Sequence, residues 1–133
     1  MSNRLGNEGA PPRPAPLMGI SVLVLEDDFY LAEDARLVLE RQGATIVGPF
    51  RAAESALEAT GRLQPHCALV DINLGKGPDF GPAEAFLAMG VPVIFITGYD
   101  HGVIPASLAH VPCLQKPTPP GRVVDAVLAA CQR

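Results

Sequence analysis

VLVLEDD, residues 22–28, sets four consecutive apolar residues directly against three carboxylates, with no turn residue between them. A short apolar run without polar alternation suits a strand covered on both faces, as in a parallel sheet. Other runs in the chain share this plan: residues 68–70 lead to Asp71, residues 93–96 to Thr97, and the weaker run 111–114 to Lys116. Ligands of open parallel sheets sit beyond the carboxyl ends of the strands, so these endings are expected to converge on one pocket. Its carboxylates, hydroxyl and ammonium suit a divalent cation together with a phosphoryl group.

Size and charge narrow the class. The 133 residues make one domain, long enough to bury about two-thirds of the unfolded surface. A formal charge of -4 without any Lys/Arg cluster argues against direct nucleic-acid binding, which needs a concentrated basic face. No apolar run approaches the ~20 residues of a membrane span, and the N-terminus lacks the apolar stretch of a signal peptide. The expectation is therefore a cytoplasmic protein without a membrane partner, and Met1 with its own tail points to a complete chain. Cys67, Cys113 and Cys131 are odd in number and lack metal-ligand spacing, which reads as reduced packing thiols.

Residues 1–19 are rich in Gly, Pro and Asn without apolar periodicity and are expected to form a disordered or extended tail. From residue 20 to 133, strand-like runs alternate with helical patterns, the mark of an α/β parallel sheet. Leu31, Ala35, Val38, Leu39 and Gln42 fall on one helical face, and Gly43 ends that segment as a C-terminal cap would. A strand at 45–47, a helix at 52–63, a strand at 67–70, a helix at 82–89 and a strand at 93–96 follow. A short, weakly patterned helix is predicted at 105–110. The last helix begins at Pro119 and Pro120 and is predicted to bury Val124, Val127, Leu128 and Cys131. Val123, Ala126 and Ala130 widen its apolar side, which suits either a monomer or a weak homodimer.

Gathering Glu26, Asp27 and Asp71 is unfavourable without a counterion, since each pair at ~4 Å repels by roughly 1 kcal/mol in water and about 4 near a protein surface. Magnesium fits, because it takes one or two carboxylates and completes its shell with water and phosphate oxygens. Lys116 adds a compact positive charge. Asp28 is the expected cap of the first helix, which frees Glu26 and Asp27 for the pocket. Asp71 is then a candidate nucleophile toward a phosphoryl donor, and Thr97 a hydrogen-bonding group for the phosphoryl oxygens.

The stretches VLVLEDD, LVDINLGKG, VIFITGYD and LQKP, in this order, resemble the receiver domain (CheY-like) of bacterial two-component response regulators over nearly all of residues 20–133. The resemblance implies a flavodoxin-like (βα)5 fold, a doubly wound parallel five-stranded sheet in order 2-1-3-4-5. The short segment between Thr97 and Lys116 implies a shortened fourth helix. By the same resemblance Asp71 accepts a phosphoryl group from a histidine kinase or histidine phosphotransfer protein. Asp27 binds Mg2+ (or Mn2+) directly, Glu26 assists through water, and Asn73 contributes its backbone carbonyl. Thr97 and Lys116 contact the phosphoryl group, and the Lys116–Pro117 bond is cis, a form X-Pro makes inexpensive.

PVIFITGY is also similar to the FATGUY variant of these receivers, with Ile96 where that motif has alanine. Cys113 stands where most receivers carry the Tyr or Phe of the switch. Tyr99 is then either a replacement gate beside Cys113 or an exposed loop tyrosine without a role.

The resulting expectation is a single-domain phosphoacceptor rather than a turnover enzyme. With no output domain after Arg133, it would signal through contacts with an unknown downstream protein or drain phosphate from a kinase. Tyr30, Asp34, Leu37 and Arg41 form a helical stripe distinct from the core face, either a kinase docking site or ordinary exposed surface. A haloacid-dehalogenase-type phosphatase is disfavoured because Asn73, which cannot exchange a proton, stands where the acid/base Asp would be. A phosphorylation-independent scaffold stays open on account of Cys113.

Overall fold

Every strand of the sheet is parallel to its neighbours, in the order β2-β1-β3-β4-β5. The computed structural model describes residues 15–99 and 101–132. The strands are β1 (Ser21–Leu25), β2 (Thr45–Phe50), β3 (Cys67–Asp71), β4 (Val93–Thr97) and β5 (Cys113–Gln115). The helices are α1 (Phe29–Arg41), α2 (Ala53–Leu63), α3 (Gly81–Ala88) and α4 (Pro120–Cys131). This is the flavodoxin-like doubly wound arrangement expected.

Strand β3 is buried at every position, which explains why its sequence shows no alternation. Its pleat divides the core in two. On one face Leu23, Leu25, Ala68, Val70, Val93 and Phe95 pack with Ala56, Ala59, Ala83 and Phe86 of α2 and α3. Phe80 meets Phe95 edge-on there, with ring centres 5.8 Å apart. On the other face Val22, Val24, Cys67, Leu69 and Ile94 pack with Leu39 of α1 and with Val123, Val127 and Ala130 of α4.

Several expectations need correction. Residues 1–14 of the predicted tail lie outside the described residues, but residues 15–19 belong to the fold. Leu17 is 0% exposed, and its N–H donates to the Gln42 carbonyl at 2.8 Å. Gly43 permits this seat: its φ is +99°, and a Cβ there would meet the Ala15 Cβ at 2.8 Å. One buried leucine among Pro and Gly offers no periodicity, so pattern reading passed over it.

The expected shortening of the fourth helix goes further than predicted: residues 105–110 hold only a 3-10 turn, Ala106–Leu108, preceded by another at His101–Val103, and of the former only Leu108 is buried. A single anchoring side chain does not offset the cost of nucleating an α-helix in so short a segment.

The buried lines of two helices also differ from those predicted. In α1 it is Ala32 and Leu39 that are buried, while Leu31 is 39% exposed. In α4 the buried line is Val123, Val127 and Ala130, one residue off the predicted stripe, with Val124, Leu128 and Cys131 half-buried. Val123 and Ala130 therefore serve the core, while Ala126 is half-buried. Among the described residues no helix is long and apolar enough to cross a membrane.

Candidate functional site

Parallel register brings the strand tips level. Leu25 pairs with Val70, Asp71 with Ile96, and Thr97 with Gln115, so the residues ending or following these strands emerge along one edge. The order reverses between β1 and β3, and a crevice opens at such a switch point. Here it is a cleft of about 380 Å3 lined by Glu26, Asp27, Asp28, Leu31, Asp71, Asn73, Gly98, Tyr99 and Lys116.

Glu26, Asp27 and Asp71 each offer a carboxylate oxygen, and these oxygens lie within 4.8 Å of one another. Lys116 answers that charge: its Nζ is 3.2 Å from Glu26 Oε1 and 3.2 Å from Asp71 Oδ2. Glu26 and Asp71 are only 3% and 2% exposed, so the attraction acts in a medium that screens it poorly. The other Asp71 oxygen, Oδ1, accepts the Asn73 N–H at 2.9 Å.

The loop after β3 is held by Asn73, whose Oδ1 accepts the N–H groups of Gly75 and Gly77 at 3.0 and 3.2 Å. That side chain acts as a turn former. Gly75 lies close over the acids, with φ +104° and only 3.5 Å from a would-be Cβ to Asp27 Oδ2. Asp28 caps α1 as expected, its Oδ1 accepting the Leu31 N–H at 3.0 Å, which leaves Glu26 and Asp27 to the cleft.

Burial raises the Glu26 pKa from 4.5 to about 7; the hydrogen bond and charge of Asp71 push the same way, against Lys116 and the Asp28 N–H. Lys116 loses some proton affinity to burial but gains more from the carboxylates of Glu26 and Asp71, so its pKa rises overall. Crowded acids and a firmly protonated lysine are what an anion-receiving, cation-holding site requires.

Thr97 stands at the end of β4, fully buried, and its hydroxyl accepts the Tyr99 N–H at 2.9 Å. It lies at the cleft without lining it in this conformation. Its carbonyl accepts the Lys116 N–H at 2.7 Å, which ties the two strand endings together. The Lys116–Pro117 peptide is cis. Tyr99 is half-buried at the cleft, and its carbonyl accepts Gln115 Nε2 at 3.2 Å. Cys113 is half-buried beside an open surface pocket of about 270 Å3 lined also by Ile104, Ala109 and Val111.

The predicted docking stripe is exposed at all its positions, Tyr30, Asp34, Leu37 and Arg41. Asp34, Leu37 and Arg41 line a groove of about 500 Å3 between α1 and α4, together with Leu31, Ile96 and Pro120. Tyr30 stands apart from the groove against Phe29, ring centres 5.4 Å apart. Leu31 was read as core, yet it borders both cleft and groove.

No protein-family model matches the chain, and no curated protein matches it. Solved structures do. The signal receiver domain of a modulated diguanylate cyclase from Desulfovibrio desulfuricans G20 is 30% identical, with a TM-score of 0.75 over 84% of this chain and 92% of that one. SdrG from Pseudomonas melonis Fr1, in its BeF3-activated conformation, is 29% identical, with a TM-score of 0.72 over 85% of this chain and 98% of that one. The response regulator PhyR from Brucella abortus is 25% identical, with a TM-score of 0.66 over 89% of this chain and 50% of that one. With its sheet order and its acidic cleft, this chain belongs to the receiver domains of response regulators.

Proposed function

We propose that the chain is a phosphoacceptor, taking a phosphoryl group on Asp71 from the phosphohistidine of a histidine kinase or phosphotransfer protein. The observation that carries this reading is the meeting of the Glu26, Asp27 and Asp71 carboxylates within 4.8 Å, with Lys116 Nζ 3.2 Å from two of them. Such transfer depends mainly on positioning and on neutralising the phosphoryl oxygens. An Asp71 oxygen attacks phosphorus as the phosphorus–nitrogen bond to the donor imidazole breaks, and the imidazole nitrogen keeps the bonding electrons. Lys116 turns from the carboxylates to the incoming phosphoryl oxygens.

The three carboxylates, with Asn73 also lining the cleft, fit Mg2+ or Mn2+, to which Asn73 would add its backbone carbonyl. A cation held by Glu26, Asp27 and Asp71 would neutralise charge on the phosphoryl group. The added charge, about -2, favours the conformation in which Thr97 turns its hydroxyl from the Tyr99 N–H toward the phosphoryl oxygens. Tyr99 then serves as the gate, with the surface pocket beside Cys113 in place of the aromatic that Cys113 replaces. The α1–α4 groove, with Leu37 and Arg41 on its rim, serves as the donor's docking face. A BeF3-activated conformation of the similar SdrG supports a phosphoryl-mimic response here.

Incubation with radiolabelled acetyl phosphate or a phosphorylated kinase, with and without magnesium, tests the reading. Label is expected on Asp71 and lost in Asp71→Asn. Label that persists in that variant refutes it.

A further inference from the structure

Resting on the phosphoacceptor reading, we propose that the Asn73 side chain is a positioning group for the cation of that site. By tying down the loop that runs over the acids, it sets how tightly the ion is held. This role belongs to the side-chain amide and is separate from the backbone carbonyl assigned to the ion above.

Residues 72–79 form a closed loop built around that amide. Ile72 is fully buried and roots the loop in the core, and its carbonyl accepts the Asp79 N–H at 2.9 Å. Asn73 and Pro78 pair antiparallel across the neck. Inside the ring, Asn73 Oδ1 accepts the N–H groups of Gly75 and Gly77 at 3.0 and 3.2 Å. The backbone N–H of the same residue donates to Asp71 Oδ1 at 2.9 Å. Asn73 therefore orients a carboxylate on its amino side and shapes the loop on its carboxyl side.

The loop matters because of where it runs. Gly75 and Gly77, with φ +104° and +91°, both take backbone conformations that glycine adopts without strain, and both their amides turn to one oxygen. At Gly75 an ideal Cβ would stand 3.5 Å from Asp27 Oδ2, whereas at Gly77 it would meet nothing within 4 Å. The loop thus closes against Asp27 at Gly75 and is clear of other groups at Gly77. With Asp71 held through Oδ1 and Asp27 covered by Gly75, two of the three clustered carboxylates are supported before a cation arrives. Groups fixed beforehand lose less freedom on binding, and hydrogen bonds behind a metal's ligands commonly carry about tenfold or more of its affinity. Asn73→Ala removes the acceptor of both glycine amides while keeping the Asn73 N–H and carbonyl, so it releases the loop and leaves every direct ligand in the chain.

Two measurements on the full chain test this: Mn2+ binding, read from the electron paramagnetic resonance of the free ion, and amide exchange at Gly75 and Gly77, read by NMR without metal. Asn73→Ala should exchange both amides faster and bind Mn2+ about tenfold more weakly. Asn73→Asp, which keeps an acceptor oxygen at the same place, should restore slow exchange together with tight binding. Gly77→Ala, which disturbs φ away from the acids, should reproduce the weaker binding, and it decides the matter where Asn73→Ala fails to fold. At saturating Mn2+, labelling of Asp71 by acetyl phosphate should reach the parent's extent in Asn73→Ala, because the loss lies in holding the ion. Exchange that quickens with Mn2+ affinity unchanged, or exchange that Asn73→Ala leaves as slow as before, overturns the proposal. A parent chain that binds no Mn2+ overturns the cation reading itself, and this proposal with it.

Discussion

Glu26 offers a quantitative test of the electrostatic reading. Its carboxyl is lifted from 4.5 to about 7, chiefly by burial and then by Asp71. Between those pH values the folded chain holds a proton that the unfolded chain has released, so stability falls as pH rises through that window and levels off above it. Lifting a carboxyl that far corresponds to about 3 kcal/mol at pH 8. The attraction of Lys116 is already contained in that figure, since it opposes the rise. Glu26→Gln mimics the protonated side chain at every pH. In the absence of divalent cations the variant should therefore be more stable than the parent by about 3 kcal/mol at pH 8 and by only about 1 kcal/mol at pH 5.

Urea denaturation at both pH values, in EDTA, measures the difference. Millimolar magnesium at pH 8 should stabilise the parent more than the variant, because a ligand bound only to the folded form stabilises it by mass action and the variant lacks one carboxylate. A Glu26→Gln protein less stable than the parent at pH 8 in EDTA, or a difference independent of pH, would refute the crowding argument. Glu26 would then be a structural partner of Lys116 instead.

Other expectations follow from packing and exposure. Leu17→Ala should cost about 2–5 kcal/mol in urea denaturation, as for other fully buried leucines; a loss near zero would mean that residues 15–19 are not part of the core. Asp28→Ala should lower stability by about 1 kcal/mol through the lost cap on the Leu31 N–H, with phosphoryl labelling retained. Leu37→Asp, on the groove rim, should slow phosphotransfer from a kinase by about tenfold or more while leaving labelling by acetyl phosphate unchanged. Equal slowing with both donors would place the effect in the site and not in docking.

Much of the site was legible because its residues sit at strand ends. VLVLEDD announces a buried strand and its acidic exit in consecutive letters, and the same grammar marks Asp71, Thr97 and Lys116. Parallel pairing then aligns the tips without further information. Asn73 was also visible, and its side chain accepts the Gly75 and Gly77 amides. The Thr97 hydroxyl was less legible: the Tyr99 N–H holds it at 2.9 Å, a contact of local backbone geometry that residue type does not encode.

Helix faces were read about one residue out of phase. An apolar stripe on α1 or α4 is broader than the line that reaches the core, and Leu31 and Val38 line a groove instead of filling the interior. Leu17 had no signal at all, since a single leucine in a Pro/Gly-rich stretch has no period to betray it.

Chain-local chemistry thus determined the α/β class, the order of elements and the identities of the acids, the threonine and the lysine, because strand burial and strand endings are written in neighbouring residues. Tertiary structure alone decided which side of each helix faces the sheet, that Leu17 closes the core, and that Cys67 and Cys131 share one core cluster while Cys113 packs on the other. Those outcomes depend on how elements far apart in sequence share one volume, and no short window of residues contains that volume.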